Sequence, residues 1–198
     1  MSGVDAKPEV RARHIKDWLA RIDGEPDPWR SRFFELLPAA TRDAIDSSAT
    51  GGWLPMAMHV ELADLMLVAY GPARAHEHYR RSFAASLRSG IFGGLVRAGT
   101  RLFGTTPATF LRWAHKGWDA SFRNSGHLQG EILGPVSGRL VYSDLPAVCT
   151  ASDAWLDSSQ GSVYGSLDVL RTEGVVRIDK SRRAEGRLEI RLEWTPRK

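Results

Sequence analysis

His127-Leu128-Gln129-Gly130-Glu131-Ile132 alternates in side-chain character, Gly134-Pro135 marks a turn, and Gly138 to Tyr142 alternates again. A period of two places successive side chains on opposite faces of an extended chain, so the two runs read as a β-hairpin. Val175-Val176-Arg177-Ile178 and Leu188-Glu189-Ile190-Arg191-Leu192-Glu193-Trp194 repeat the pattern around a connection at Arg182 to Gly186. Between the hairpins, Pro146 opens a helical region that carries Val148, Trp155, Tyr164, Leu167 and Leu170, with an interruption expected near Gly161. Two hairpins flanking a helix, β-β-α-β-β, make one four-stranded antiparallel sheet whose apolar face needs a cover of helices.

The upstream residues supply that cover. From Pro55 to Tyr70 most positions are apolar, with Met58, Leu62, Leu65, Met66 and Ala69 on one face, which predicts a largely buried helix. Gly71-Pro72 ends it and starts another, in which Ala75, Tyr79, Phe83 and Leu87 recur every four residues. Gly93-Gly94 leads into a helical run from Leu95 to Phe103. Thr106-Pro107 then combines an N-cap with a first-turn proline, opening a helix that presents Phe110, Leu111, Ala114 and Trp118.

Nearer the N-terminus, Ile15, Trp18, Leu19 and Ile22 follow a helical period that stops at Gly24 to Pro28. A second stretch carries Trp29, Phe33, Leu36 and Leu37, and a short piece runs through Ala44 and Ile45. The polar segment Ser47 to Gly52 is the best boundary in the chain. The fold class is therefore α+β, a helical N-terminal half followed by the four-stranded sheet. Residues 1–50 read as a helical extension and 51–198 as the main domain.

A chain of 198 residues with 42% hydrophobic and 25% charged residues has ordinary globular usage. The longest apolar run, Leu65 to Tyr70, is far short of a membrane span. The first residues lack the basic and apolar regions of a secretion signal. The single cysteine, Cys149, fits a reducing compartment, and a cytoplasmic location is expected. The net charge of +4 is carried mainly by arginine, interleaved with Asp and Glu along most of the chain, which describes a solvated surface more than a binding stripe.

The reactive side chains form no recognisable constellation. His76 and His78 stand two apart, roughly 200° around a helix axis, and do not share a metal easily. His59, with Glu61 and Asp64 nearby, and His115 read as surface or hydrogen-bonded histidines, not ligands. Gly161-Ser162-Val163-Tyr164-Gly165 places its serine at the wrong offset for a nucleophile elbow. Cys149 reads as a small buried residue. Gly90 to Gly94 lacks the Gly-Lys-Ser/Thr end of a phosphate-binding loop. The expectation is no catalytic residue, no metal and no cofactor.

Gly161 to Leu167, Val175 to Ile178, Gly186 and the closing Leu188 to Trp194 resemble the end of a superfamily. It comprises haem and nitric-oxide binding domains, vinyl-reductase-type ligand-binding domains and Bet3-like Golgi-transport proteins. Gly71 to Ala75, Arg80-Arg81-Ser82-Phe83 and Thr106-Pro107 are similar to an uncharacterised family found in myxobacteria and related to that superfamily. The likeness covers roughly residues 53–195 and rests on packing and turn residues, so it implies fold more than function. It also implies a homodimer joined through the helical half, and a cavity between helices and sheet where relatives hold haem or acyl chains.

Two departures bear on chemistry. Lys180, Arg182 and Arg187 stand where vinyl-reductase-type domains have cysteines, and the Tyr-x-Ser-x-Arg triplet of haem-binding relatives is missing, which argues against a cysteine metal site and against haem. Trp53, Trp113, Trp118, Trp155 and Trp194 fall at or beside element ends, where burial of each is worth on the order of 2 to 3 kcal/mol. Core packing is their expected role. Should a cavity exist, Trp113, Trp118, Trp155 and Tyr164 are its candidate ligand-binding residues.

The leading expectation is a non-enzymatic regulatory or interaction domain that binds a small apolar ligand, or a protein partner, between helices and sheet. An alternative is a nucleic-acid-binding regulator using Arg97, Arg101, Arg112, Lys116 and Arg123 beside Trp113, and a third is an enzyme acting through Cys149 or Ser162.

Overall fold

Val10 lies at the centre of a small sheet that the sequence pattern does not announce. In the computed structural model, which describes residues 6–88 and 106–196, strand β1 (Glu9–Arg11) pairs antiparallel on one side with β2 (Trp53–Pro55) and on the other with β3 (Phe122–Arg123). Arg11 and Arg123 stack on the Trp53 ring at 3.9 and 4.5 Å, and Arg123 also pairs with Glu9. These contacts tie residues 6–55 to the end of a helix more than sixty residues away.

Helices α1 (Ala12–Asp23), α2 (Trp29–Leu36) and α3 (Ala39–Ser47) fill the N-terminal segment. They bury Ile15, Trp18, Ile22, Phe33 and Ile45 in the same core cluster as the residues beyond position 51. Two longer helices follow, α4 (Met56–Tyr70) and α5 (Pro72–Arg88), separated by Gly71 at φ 74°. Helix α6 (Pro107–Ser121) starts as its sequence predicts, with Thr106 Oγ1 accepting from the Thr109 backbone N–H at 3.1 Å. The run Leu95 to Phe103 lies outside the described residues.

The second sheet matches the expected β-β-α-β-β order. Strands β4 (His127–Gly134), β5 (Ser137–Ser143), β6 (Gly174–Asp179) and β7 (Leu188–Trp194) lie in the order β4-β5-β7-β6, all antiparallel. Leu140 faces Gly130 on one side and Ile190 on the other, and this row continues the inner, apolar face. The outer face carries an ionic ladder: Arg139 contacts Glu131 at 2.7 Å and Glu189 at 3.1 Å, and Arg177 contacts Glu193 at 2.9 Å. Helix α6 crosses the inner face closely because Gly130 has no Cβ; one there would collide with the Leu111 carbonyl.

The helical region between the hairpins breaks at a different place from the one the sequence suggests. Helix α7 (Ala147–Ala151) ends at Ser152, and α8 (Asp153–Val169) runs without interruption through Gly161. Ser152 makes the break by capping α8: its hydroxyl accepts from the Trp155 N–H at 3.0 Å and donates to Asp64 at 2.6 Å. Gly161 is instead a contact point. A Cβ there would stand 2.9 Å from the Tyr79 Cβ and 3.0 Å from the His76 carbonyl, so the missing side chain lets α8 lie against α5.

Candidate functional site

Helices α1, α4, α5, α6 and α8 and the inner sheet face line a partly open cavity of about 220 Å³. Among the described residues its wall is largely aromatic and aliphatic, with Phe110, Trp113 and Trp118 from α6, Trp155 from α8, and Leu128, Leu140 and Tyr142 from the sheet. Of the four residues singled out in sequence, the structure brings Trp113, Trp118 and Trp155 into this wall. Trp118 and Trp155 meet edge to face at 6.5 Å. Tyr164 falls elsewhere. It lies on the flank of α8 that meets β6 and His76; its hydroxyl donates to the Val176 carbonyl at 3.3 Å and accepts from the Val176 N–H at 3.1 Å, so its hydroxyl serves the fold.

One end of the wall is polar, and it comes from residues the sequence pattern does not single out. Helix α1 turns His14, Asp17, Trp18 and Arg21 toward the cavity, spaced i, i+3, i+4 and i+7 along one stripe. The core residues Ile15, Trp18 and Ile22 mark the neighbouring stripe, which is why the periodicity points to the packing and not to this edge. His59 on α4 faces His14, ring centroids 5.1 Å apart. The Trp155 indole N–H donates to His59 Nδ1 at 3.2 Å, which makes this the acceptor nitrogen of a neutral imidazole. Burial, reinforced by Arg21, holds His14 down to about pKa 4, and burial beside His14 pushes His59 well below 6.5. Both rings are neutral at pH 7.

Arg21 is the cation of this wall among the described residues. Among the described residues its guanidinium forms no ion pair; its Nη1 donates to the backbone carbonyl of Asp17 at 3.1 Å, and burial lowers its pKa against the opposing charge of Asp17. Ser121, at the end of α6, also lines the cavity and is 1% exposed, with a hydroxyl that finds no hydrogen-bond partner among the described residues.

A second polar group is carried by α5, and its Ser82 also lines the cavity. Ser82 Oγ is 3.1 Å from His78 Nε2, and His78 Nδ1 is 3.0 Å from Glu25. The order matches a nucleophile, base and acid relay. Glu25 is, however, already held by Arg74 and Arg81 at 3.0 and 2.8 Å. Ser82 sits inside a continuous helix, where the adjacent backbone N–H groups are consumed by the helix itself and cannot receive an oxyanion. The group reads as an anchor for the loop after α1. Cys149 is fully buried and its thiol is pushed up to about pKa 12, which removes it as a nucleophile at neutral pH. Ser162 lines the cavity.

Of the arginine surface considered for nucleic acid, Arg112 and Lys116 are exposed on α6. Arg123 is engaged by Glu9 and Trp53, while Arg97 and Arg101 lie outside the described residues. Among the described residues no group of three or more His, Cys, Asp or Glu could hold a metal ion. No described helix is long and apolar enough to cross a membrane.

A scan against known protein families and a search of curated proteins find no match to this chain. Solved structures do match in fold. An oxygen-binding H-NOX domain related to soluble guanylate cyclases, in its oxygen complex, superimposes with a TM-score of 0.60 at 12% identity, covering 94% of this chain and 95% of its own. A point mutant of the T. tengcongensis H-NOX gives 0.61 at 12% identity, covering 94% and 98%. The Fe(II) unliganded H-NOX protein from K. algicida gives 0.59 at 6% identity, covering 94% and 97%. The chain therefore has an H-NOX-like α+β fold, as the resemblance read from its turns and packing residues implied.

The described residues around the cavity do not fit haem. A volume of about 220 Å³ is below the roughly 300 to 1,000 Å³ of sites that hold drug-sized ligands, and a tetrapyrrole is larger still. Among the described residues one guanidinium would have to meet two propionates, and one of the two lining imidazoles already accepts an indole N–H through Nδ1.

Proposed function

We propose that this protein is a non-enzymatic regulatory domain that holds a small apolar ligand in the cavity between its helices and its sheet, through Trp113, Trp118 and Trp155. The observation that carries this reading is the cavity itself, a space of about 220 Å³ walled by aromatic side chains. Close packing is the rule in protein interiors, and a void of this size forgoes dispersion contacts on every lining ring, a cost that a ligand removes. The orphaned Ser121 hydroxyl supports the same reading, since a buried polar group ordinarily has a partner. Pairing of two copies through the helical half, and a cytoplasmic location, belong to the same proposal.

Native mass spectrometry of the protein purified from its own host, against its denatured mass, tests this reading. A retained small molecule is expected, and the same spectrum reports monomer or dimer. A clean apo mass, with no uptake of naphthalene or indole in titration, would overturn it.

A further inference from the structure

The polar stripe of α1 says what kind of apolar ligand the cavity takes. A guanidinium carries five donors, and Arg21 spends one of them on a carbonyl of its own helix. No Asp or Glu oxygen among the described residues lies within ion-pair distance of it. The nearest carboxylate on the stripe, Asp17, lies 3.7 Å from the more exposed Arg13. His14 and His59 stay neutral and add no positive charge. The wall thus combines a wide aromatic surface with one cation, attracted by Asp17 but in ion-pair contact with no described carboxylate, and one buried hydroxyl, Ser121, without a partner among the described residues.

We propose that the ligand is an apolar carboxylic acid whose carboxylate pairs with Arg21 and whose body packs among Trp113, Trp118 and Trp155. This rests on the reading of the cavity as a ligand site. The planar guanidinium matches a carboxylate two bonds at a time, and a partly desolvated setting strengthens the pair. A monoanion suits the site better than a phosphate dianion, because Asp17 lines the same wall and repels the second charge. An apolar cavity of about 150 Å³ takes benzene, so about 220 Å³ has room for a ring system bearing a short acid arm. Ser121 offers that acid or its arm a second polar contact.

The test uses the full chain and two matched probes, 1-naphthylacetate and the neutral 1-naphthylacetamide, titrated by calorimetry at pH 7.5. The carboxylate is expected to bind about tenfold to a hundredfold more tightly than the amide. Arg21→Met, which keeps the apolar stem, removes that preference and leaves the amide affinity unchanged. Arg177→Met, on the outer face of the sheet, leaves both affinities unchanged. Equal binding of the two probes by the intact protein would overturn the carboxylate assignment while the cavity reading stands, whereas binding of neither would overturn both. Loss of both probes in Arg21→Met would also overturn it, by assigning Arg21 to packing.

Discussion

Protonating His14 would place a second positive charge beside Arg21 in a wall that is otherwise aromatic. Burial is the larger cause of its depressed pKa of about 4; Arg21 adds to it and Asp17 opposes it. The charged groups that face the ring are these two on α1, with neutral His59 packed against it from α4. A histidine whose folded pKa lies below its unfolded value near 6.5 contributes stability that is fully present above pH 6.5. That stability is lost as pH falls toward 4, because the unfolded chain takes up the proton first. For His14 alone the loss is on the order of 3 kcal/mol across that window. His59 and His78 are shifted in the same direction and steepen the loss. Urea unfolding at pH 7.5, 6 and 4.5 should show a falling midpoint, and His14→Gln should flatten the decline. An unchanged slope in His14→Gln would mean that the ring is hydrated in solution.

Glycine decides how the two longest described helices meet, and there two tendencies oppose each other. Replacing glycine by alanine inside a helix ordinarily stabilises it by up to about 1 kcal/mol. In α8, however, a Cβ at Gly165 would run into the Arg80 carbonyl, and backbone on the facing helix cannot step aside as a flexible side chain can. Overpacking of that kind costs about 1 to 3 kcal/mol, so Gly165→Ala should lower the melting temperature. Gly51→Ala, where nothing lies within 4 Å, should stay within about 0.5 kcal/mol of the parent. A Gly165→Ala protein that melts higher would place α8 farther from α5. The same residue type limited what sequence could tell. Gly161 reads equally as a helix breaker or as a close-packing point, and only the facing α5 distinguishes them. The hairpins and α6 were legible because a two-residue period and a Thr-Pro cap are local signals. The small sheet was not, since strands of two or three residues hold no period and their pairings reach across to Trp53–Pro55 on one side and as far as Arg123 on the other.

At the scale of the whole molecule, three of the four tryptophan and tyrosine candidates reach the cavity, Trp118 and Trp155 as buried aromatics near helix ends and Trp113 from the middle of α6, where it stays 37% exposed. The α1 stripe escaped notice because the partners that make it polar or apolar come from four other helices. That dependence bears on the expected division at residue 50. Strands β2 and β3 pair through β1 and not with each other, so removing residues 1–50 leaves both without a ladder. It also strips out Val10, Ile15, Ile22, Phe33 and Ile45, each 0% exposed. Burying five such side chains contributes roughly 10 kcal/mol, about the whole stability of an ordinary domain. Residues 51–198 expressed alone should therefore give neither a cooperative melt by circular dichroism nor dispersed amide resonances. A full-length protein nicked within residues 48–52 should stay assembled and keep its melt, because the connection there is exposed or half-buried while the elements on both sides are packed. If 51–198 instead melts cooperatively near the parent temperature, the N-terminal helices are a detachable cover. The cavity would then be open on the α1 side, and Arg21 would belong to a lid over the ligand and not to its wall.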